Sequence, residues 1–260
     1  MSNKLTKNKQ QVVDFYEAIA LDWDTRFKNN LSTAHFLNRR LNLLKQFMNL
    51  QGQETVLEIG CGTGFHLINL ANYFYSGIGT DLAPAMLDIA KKNSQRLKIK
   101  NIHFKIDDAE TLAKFPNNSF GVVFFVGLLE HLINPLACFQ NVWRVLKKGG
   151  RLVGITPNKY SPWYYLIGPI FRGKSLKHLS TDRNYSQREI NQMLEQTHFT
   201  KIQIRHWGLL PANDIPNNLF KILAQIETIA EKTWLKHLAG GLSFIAYKHS
   251  TKSEIFINKN

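Results

Sequence analysis

Runs of residues that favour β-strands alternate with amphipathic stretches through the first half of the chain. The strand-like runs lie at 56–59, 76–81 and 102–106, and glycine, aspartate or asparagine residues bound them. Helix-like stretches at 65–74 and 84–97 separate the runs. An alternation of strand and helix predicts an α/β fold with a doubly wound sheet.

The first predicted strand runs into a loop that has glycine at every second position, Gly60, Gly62 and Gly64. Glycine adopts positive φ without penalty, and the missing Cβ lets a ligand lie against the backbone. The helix that follows adds unpaired N–H donors. A nicotinamide-binding loop has its third glycine where this chain has Phe65, which argues against a pyrophosphate ligand. The spacing predicts a nucleotide-binding loop, and an ordinary tight turn is the alternative.

Carboxylates follow the second and third predicted strands. Asp81 lies about twenty residues after the first glycine, where such folds place the acid that binds a ribose. An ionised carboxylate is a pure acceptor and can bind both ribose hydroxyls. The alternative role is an N-cap for the helix that begins near Pro84. The third strand leads into the acidic segment Asp107-Asp108-Ala109-Glu110.

With Glu58 before the glycines, the loop has the form E-x-G-x-G-x-G, which resembles motif I of the class I S-adenosylmethionine-dependent methyltransferases. Other segments resemble the ubiquinone and menaquinone biosynthesis branch of that family. They are Asp107-Asp108-Ala109-Glu110, Asn118-Ser119-Phe120-Gly121, Leu129-Glu130-His131-Leu132 and Leu146-Lys147-Lys148-Gly149-Gly150. The chain departs from that branch at Asp107, Gly121 and Lys148, where the branch has Gly, Asp and Pro.

The resemblance implies a Rossmann-like, seven-stranded sheet in the order 3-2-1-4-5-7-6 with helices on both faces. Its last strand, Gly241–Tyr247, would be antiparallel to the others. The implied cofactor is S-adenosyl-L-methionine, with Asp108 at the adenine amino group and the Ala109 N–H at a ring nitrogen. The full implied cofactor set is Tyr16, Arg26, Glu58, Gly60, Cys61, Gly62, Gly64, Asp81, Leu82, Asp108, Ala109 and Val126.

The expected organisation is one structural domain with an N-terminal cap. Residues 1–50 would form helices that cover the cofactor, because the segment around Tyr16, Trp23 and Arg26 resembles the covering helix of the branch. Residues 51–250 would form the methyltransferase core, with a lid-like insertion at 159–184. Residues 251–260 would be a polar tail.

His131 is the predicted catalytic residue. Methyl transfer to an alcohol or phenol calls for a base near the methyl group, and His131 follows the fourth strand at the carboxyl edge of the sheet. The alternative is a residue at a helix start that bonds to the backbone. Relatives in the quinone pathway have an extra Glu where this chain has Gly127, and Glu130 with His131 alone makes a poor metal site, so we expect no essential metal.

The composition indicates a cellular location and a class of partners. The chain has two cysteines among 260 residues, which excludes a disulfide framework and fits a reducing, cytoplasmic location. The polar, basic segment 1–11 lacks the apolar region of a secretory signal. A net charge of +14 favours anionic partners such as RNA, acidic lipid headgroups or phosphorylated substrates. A solvated basic surface is the alternative.

The prediction of the methyl acceptor depends on residues 159–184. Aromatic residues crowd 160–171, and cations follow at 172–178, which suits a lid over an apolar acceptor and peripheral contact with an anionic membrane. A packed loop is the alternative. A small-molecule or lipid-like acceptor, methylated at oxygen, is the leading hypothesis. An RNA methyltransferase and a non-catalytic adenosylmethionine-binding module remain open, although 125–128 lacks the Asn/Asp-Pro-Pro-Tyr motif of amino-base methyltransferases.

Overall fold

The computed structural model describes residues 6–26, 31–162, 182–210 and 217–249. The described strands form one sheet in the order β3-β2-β1-β4-β5-β7-β6. They are β1 Thr55–Ile59, β2 Ser76–Asp81, β3 Ile102–Ile106, β4 Phe120–Val126, β5 Leu146–Pro157, β6 Phe199–Trp207 and β7 Gly241–Lys248. Strands β1 to β5 pair in parallel, and β7 is antiparallel to β5 and β6. The predicted fold class and strand order are therefore confirmed.

Helices cover both faces of this sheet. Those described are α1 Lys7–Arg26, α2 Leu31–Met48, α3 Phe65–Asn69, α4 Pro84–Arg96, α5 Pro135–Val145, α6 Gln187–Gln196 and α7 Asn217–Ala230. Short 3₁₀ turns lie at Ala71–Tyr73, Leu129–His131 and Trp234–Leu238. The helix predicted at 65–74 is interrupted, because α3 ends at Asn69 and the 3₁₀ turn continues from Leu70.

The central strand β4 separates two apolar cores. Successive side chains of a strand point to opposite faces. Phe125 accordingly packs with Phe139 of α5 and Phe244 of β7 on one face, and Phe124 joins the core under α2 and α3 on the other. Gly154 of β5 lies in the first core, where an added Cβ would stand 2.2 Å from the Phe244 ring. The rings therefore require a glycine at that position.

The carboxyl ends of the parallel strands meet at one edge of the sheet, and α1 lies across this edge. Helix α1 packs on α4, and Glu17 of α1 accepts the N–H of Ala85 in the first turn of α4 at 2.7 Å. First-turn N–H groups have no partner within their own helix, so this contact both caps α4 and anchors α1.

Two longer connections also leave this edge, one after β5 and one after β6. The ends of the first are held together, because Asn158 and Tyr185 form a parallel bridge and the Lys159 N–H donates to the Tyr185 carbonyl at 3.1 Å. The Asn158 amide also donates to the carbonyl of Ala239 at 2.9 Å. One side chain therefore ties the base of the first connection to the end of the second.

Candidate active site

A pocket lies at the carboxyl edge, beneath α1 and α2. It is lined by the residues that directly follow β1, β2 and β3 and by the end of β4. The predicted residues that line it are Tyr16, Gly60, Cys61, Gly62, Asp81, Leu82, Asp108, Ala109, Val126 and His131. Glu58 and Gly64 are outside this lining, and the side chain of Arg26 lies outside the described residues. The structure thus brings together residues that span 115 positions of the sequence.

Asp81 closes the glycine loop from the next strand. Its Oδ2 accepts the Gly62 N–H at 2.9 Å, and its Oδ1 accepts the Ala83 N–H at 2.9 Å. Burial raises the pKa of Asp81, although these two N–H groups and that of Leu82 act in the opposite direction. Each carboxylate oxygen has a second lone pair available for a ligand. The helix α4 is capped at Ala83, so Asp81 does not occupy the N-cap position itself.

The glycine loop leaves open space beside Asp81. Gly60 and Gly62 have φ of +66° and +51°, values that side-chain-bearing residues rarely adopt. A Cβ on Gly60 would stand 2.8 Å from Leu128 Cδ1, whereas a Cβ on Gly62 would meet no atom within 4 Å. The loop and the carboxylate therefore fit a nucleoside that lies against bare backbone and offers its ribose hydroxyls to Asp81.

Glu58 and Gly64 shape this loop from behind. The carboxylate of Glu58 is 1% exposed and accepts the Leu67 N–H of α3 at 3.1 Å. Burial raises its pKa well above the ordinary value, and the charge of Asp81 adds to the effect. A Cβ on Gly64 would press on Phe104 at 3.0 Å and on Ala90 at 3.1 Å. Both residues fix where α3 begins, and through it the shape of the pocket.

His66 is a lining residue that the sequence did not single out. Its Nδ1 lies 3.4 Å from Glu58 Oε1, and its buried Nε2 has no hydrogen-bond partner among the described residues. Burial, together with the charge of Arg40, lowers the pKa of His66 to about 3. The imidazole is therefore neutral at physiological pH and adds no charge to the pocket wall.

Asp108 is held by a residue of α1 that sequence reasoning missed. The ammonium of Lys9 lies 2.6 Å from Asp108 Oδ2 and 2.7 Å from Glu110 Oε2, while Asp108 Oδ1 accepts the Glu110 N–H at 2.9 Å. Burial tends to lower the pKa of Lys9, but the two carboxylates outweigh it and the pKa is raised. The same carboxylate that is predicted to meet the adenine thus also anchors the helix above the pocket.

We expect Lys9→Met to lower the free energy of unfolding by about 1–3 kcal/mol, because it leaves two neighbouring carboxylates without their cation. Denaturant unfolding measures the change. Lys91→Met is the matched control, since Lys91 pairs with Asp88 on the surface with side chains 51% and 65% exposed. That exposed pair should contribute less than about 1 kcal/mol. Equal losses in the two variants would contradict the anchoring role of Lys9.

His131 is hydrogen-bonded at both ring nitrogens. Its Nε2 lies 2.8 Å from the Tyr16 hydroxyl of α1, and its Nδ1 lies 2.8 Å from Asp182 Oδ1. The bonds run to side chains, so the alternative of a histidine bonded to backbone does not describe this site. Burial tends to lower the pKa of His131, but the hydrogen bond to Asp182 and the charges of Glu130, Asp182 and Asp81 outweigh it, and the pKa is raised.

Tyr16 completes a line of three polar groups. Its ring meets the rings of Trp23 and His131 edge to face, with centroids 5.8 and 5.5 Å apart. Burial raises the pKa of Tyr16, and the charges of Glu130, Asp182 and Asp81 add to this effect, so the phenol keeps its proton. Asp182, His131 and Tyr16 therefore form a continuous hydrogen-bonded chain that ends at the pocket.

Several other lining residues have no local signal in the sequence. They are Lys9, Val12, Leu37, Arg40, Phe65, His66 and Met86. Those on α1 and α2 occupy positions that a helical pattern assigns to an ordinary packed face. Only a fold that places both helices over the sheet edge identifies them.

No group of three or more potential metal ligands occurs among the described residues. Glu130 accepts the Thr156 hydroxyl at 3.3 Å, and His131 is engaged as described. The absence of an essential metal stays a prediction. The predicted lid at 159–184 lies mostly in 163–181, outside the described residues.

Known proteins resemble this chain in sequence and in fold. The profile of a family described as a methyltransferase domain matches residues 50–209. The ubiquinone biosynthesis O-methyltransferase of Coxiella burnetii (strain RSA 493 / Nine Mile phase I) is 28% identical over 162 residues, which are 62% of this chain and 67% of the relative. The enzyme of the same name from Pseudomonas fluorescens (strain Pf0-1) is 30% identical over 153 residues, 58% of this chain and 64% of the relative.

Solved structures extend the similarity to the fold. Haemonchus contortus phosphoethanolamine N-methyltransferase 2, in complex with S-adenosyl-L-methionine, aligns with a TM-score of 0.66 and 17% identity over 96% of this chain and 62% of that one. Geranyl diphosphate C-methyltransferase from Streptomyces coelicolor aligns with a TM-score of 0.65 and 15% identity over 94% and 99%. At such identities the likeness extends to the fold alone.

Proposed function

Because this chain belongs to the methyltransferase domain family and is an S-adenosylmethionine-dependent enzyme, we propose that it methylates a hydroxyl oxygen of a small, lipid-like acceptor. The observation that carries the proposal is the imidazole of His131, held between Asp182 and Tyr16 at the pocket wall. An oxygen acceptor needs a base, and in this proposal the imidazole serves as one. The curated relatives named above, which are O-methyltransferases, support the choice of oxygen.

The proposed cofactor contacts follow from the pocket lining. Gly60 and Gly62 would provide bare backbone, and Asp81 would accept from the ribose hydroxyls. Asp108 and the Ala109 N–H, which also line the pocket, would meet the adenine edge. When bound, S-adenosylmethionine supplies an electrophilic methyl group on a sulfonium. The chain holds the acceptor in line with that group and excludes water from the pocket through α1.

The proton of the acceptor goes to His131 in this mechanism. With its proton on Nδ1, the imidazole donates to Asp182, and its Nε2 lone pair faces the pocket, where Tyr16 donates to it. An acceptor hydroxyl that takes the place of the Tyr16 hydroxyl at Nε2 would transfer its proton to the imidazole as the oxygen gains the methyl group. The carboxylate of Asp182 stabilises the imidazolium that results.

A transfer assay with labelled methyl donor tests this proposal. The probes are a prenylated phenol, the same compound with its hydroxyl already methylated, and total RNA. We expect label in the phenol alone, because only that probe offers an ionisable oxygen of lipid-like character. Label in the RNA would favour the RNA methyltransferase hypothesis instead. Cofactor binding without transfer to any probe would favour a non-catalytic module.

A further inference from the structure

Helix α7 presents an apolar side to solvent. Leu219, Ile222, Ile226 and Ile229 are 49%, 60%, 54% and 69% exposed. Their spacing of three and four residues places them on one side of the helix. A surface helix of a soluble protein turns its apolar side towards the core, and α7 does so with Phe220, which is 6% exposed. The four exposed residues therefore form a second apolar side, which faces solvent.

The opposite side of α7 is fixed to the protein by its carboxylates. Glu227, with 3% of its surface exposed, pairs with Arg39 of α2 at 2.9 Å and accepts the Leu210 N–H at 2.9 Å. Glu231 accepts from Arg39 at 2.6 Å and from the Gly208 N–H at 2.9 Å. These partly buried ionic contacts oppose a rotation that would bury the isoleucines, because it would leave the carboxylates unpaired.

The surroundings of this apolar side are cationic. Lys221, Lys232 and Lys236 are exposed, and Trp234 of the following 3₁₀ turn is 71% exposed. Glu227 and Glu231 are the acidic residues of 217–249, and both face inward. The surface therefore presents aliphatic side chains, an indole and positive charge, which is the combination that an anionic lipid interface favours.

The location of α7 relates this surface to the pocket. Strand β6 is parallel to β5, because both are antiparallel to β7, so the connection that contains α7 leaves the sheet at the carboxyl edge. Helix α7 packs on α2, which lines the pocket through Leu37 and Arg40. A bilayer under α7 would therefore lie next to a helix that forms part of the pocket wall.

We propose that the α7 face, defined as Leu219, Ile222, Ile226, Ile229 and Trp234, docks the protein on an anionic lipid bilayer. None of the described helices combines the length and the hydropathy needed to cross a bilayer, and α7 with 14 residues would lie in the plane of the interface. Docking would bring the protein to the membrane that holds a lipid-like acceptor. Only this link to the acceptor rests on the proposed function.

Sedimentation of the full chain with vesicles tests the docking. Vesicles of phosphatidylcholine with phosphatidylglycerol should bind the protein, and vesicles of phosphatidylcholine alone should bind it weakly. The pair Ile222→Ser and Ile226→Ser should weaken binding about tenfold or more, since two apolar side chains no longer enter the interface. Lys232→Gln and Lys236→Gln should weaken it about fivefold each.

Tyr75→Ser with Leu97→Ser is the matched control. These side chains are 72% and 53% exposed and lie at the amino edge of the sheet, just before β2 and β3. The control pair should bind vesicles like the wild type. The proposal would be overturned if the wild-type protein failed to bind anionic vesicles. It would also be overturned if the variant with Ile222→Ser and Ile226→Ser bound them as well as the wild type.

Light scattering addresses the remaining occupant, a second copy of the chain. If the wild-type protein is a dimer that does not bind vesicles, and the variant with Ile222→Ser and Ile226→Ser is a monomer, the α7 face mediates self-association. That result would overturn the lipid proposal. The vesicle assay contains neither cofactor nor acceptor. Its failure would leave the proposed methyl transfer intact, and failed transfer to the phenol would leave vesicle binding intact.

Discussion

His131→Ala is expected to lower turnover by roughly 10²–10⁴-fold, the usual contribution of a general base. The variant removes the group that takes the acceptor proton, and the glycine loop and Asp81, which are proposed to hold the cofactor, stay in place. Affinity for S-adenosylmethionine should therefore remain within a few-fold of the wild type by calorimetry. His103→Ala is the matched control, because His103 is an exposed residue of β3 outside the pocket lining. Turnover within twofold of the wild type would remove the catalytic role.

The pH dependence of the rate separates a base from a packing residue. Because the carboxylates around His131 raise its pKa above the ordinary value of 6.5, the neutral imidazole is lost as the pH falls through a value higher than that. Turnover should fall with it. Asp182→Asn removes one of those charges and should move the acidic limb of the profile to lower pH, with a lower plateau because the imidazolium loses its partner. Superimposable profiles would contradict the positioning role of Asp182.

Asp81→Ala is expected to weaken the binding of S-adenosylmethionine by about 1–3 kcal/mol, the cost of leaving buried donors without acceptors. Two kinds of donor are affected, the ribose hydroxyls and the N–H groups of Gly62 and Ala83. Asp81→Asn keeps one acceptor oxygen and should fall between the alanine variant and the wild type. Calorimetry measures the affinities.

Asp88→Ala is the control for that substitution, since the Asp88 side chain is 65% exposed on α4 and lies outside the pocket lining. Its affinity for the cofactor should equal that of the wild type. Thermal unfolding of each variant shows whether the loop has lost its fold. Equal affinities of Asp81→Ala and the wild type, in folded protein, would exclude the ribose contact.

The parts of the fold that follow local rules could be predicted from the sequence. The glycine loop, the strand at 102–106 and the position of Asp81 each depend on residues within a few positions, and the structure has them where the pattern indicates. The family resemblance supplied the strand order and the antiparallel β7, which are confirmed. These features repeat across a fold because backbone geometry sets them.

The partners of the site residues could not be predicted in the same way. Asp182 lies 51 positions from His131, and Lys9 lies 99 positions from Asp108, so no spacing rule joins them. The cofactor role of Glu58 stays a prediction, and its side chain accepts the Leu67 N–H of α3 and is outside the pocket lining. A motif indicates that a residue matters to a loop, but it does not tell a contact with the ligand from support of the backbone.

Asn158 has a consequence for how such an enzyme can change over evolutionary time. Its bridge to Tyr185 closes the base of the segment between them, and its amide holds the end of the connection after β6. Once the base of a loop is closed, each doubling of its length costs only about 0.6 kcal/mol of closure entropy. Insertions and deletions in both segments are therefore inexpensive, and they leave the Gly60 to Asp81 cradle untouched. Descendants of this chain could exchange one acceptor for another while they keep the same methyl donor.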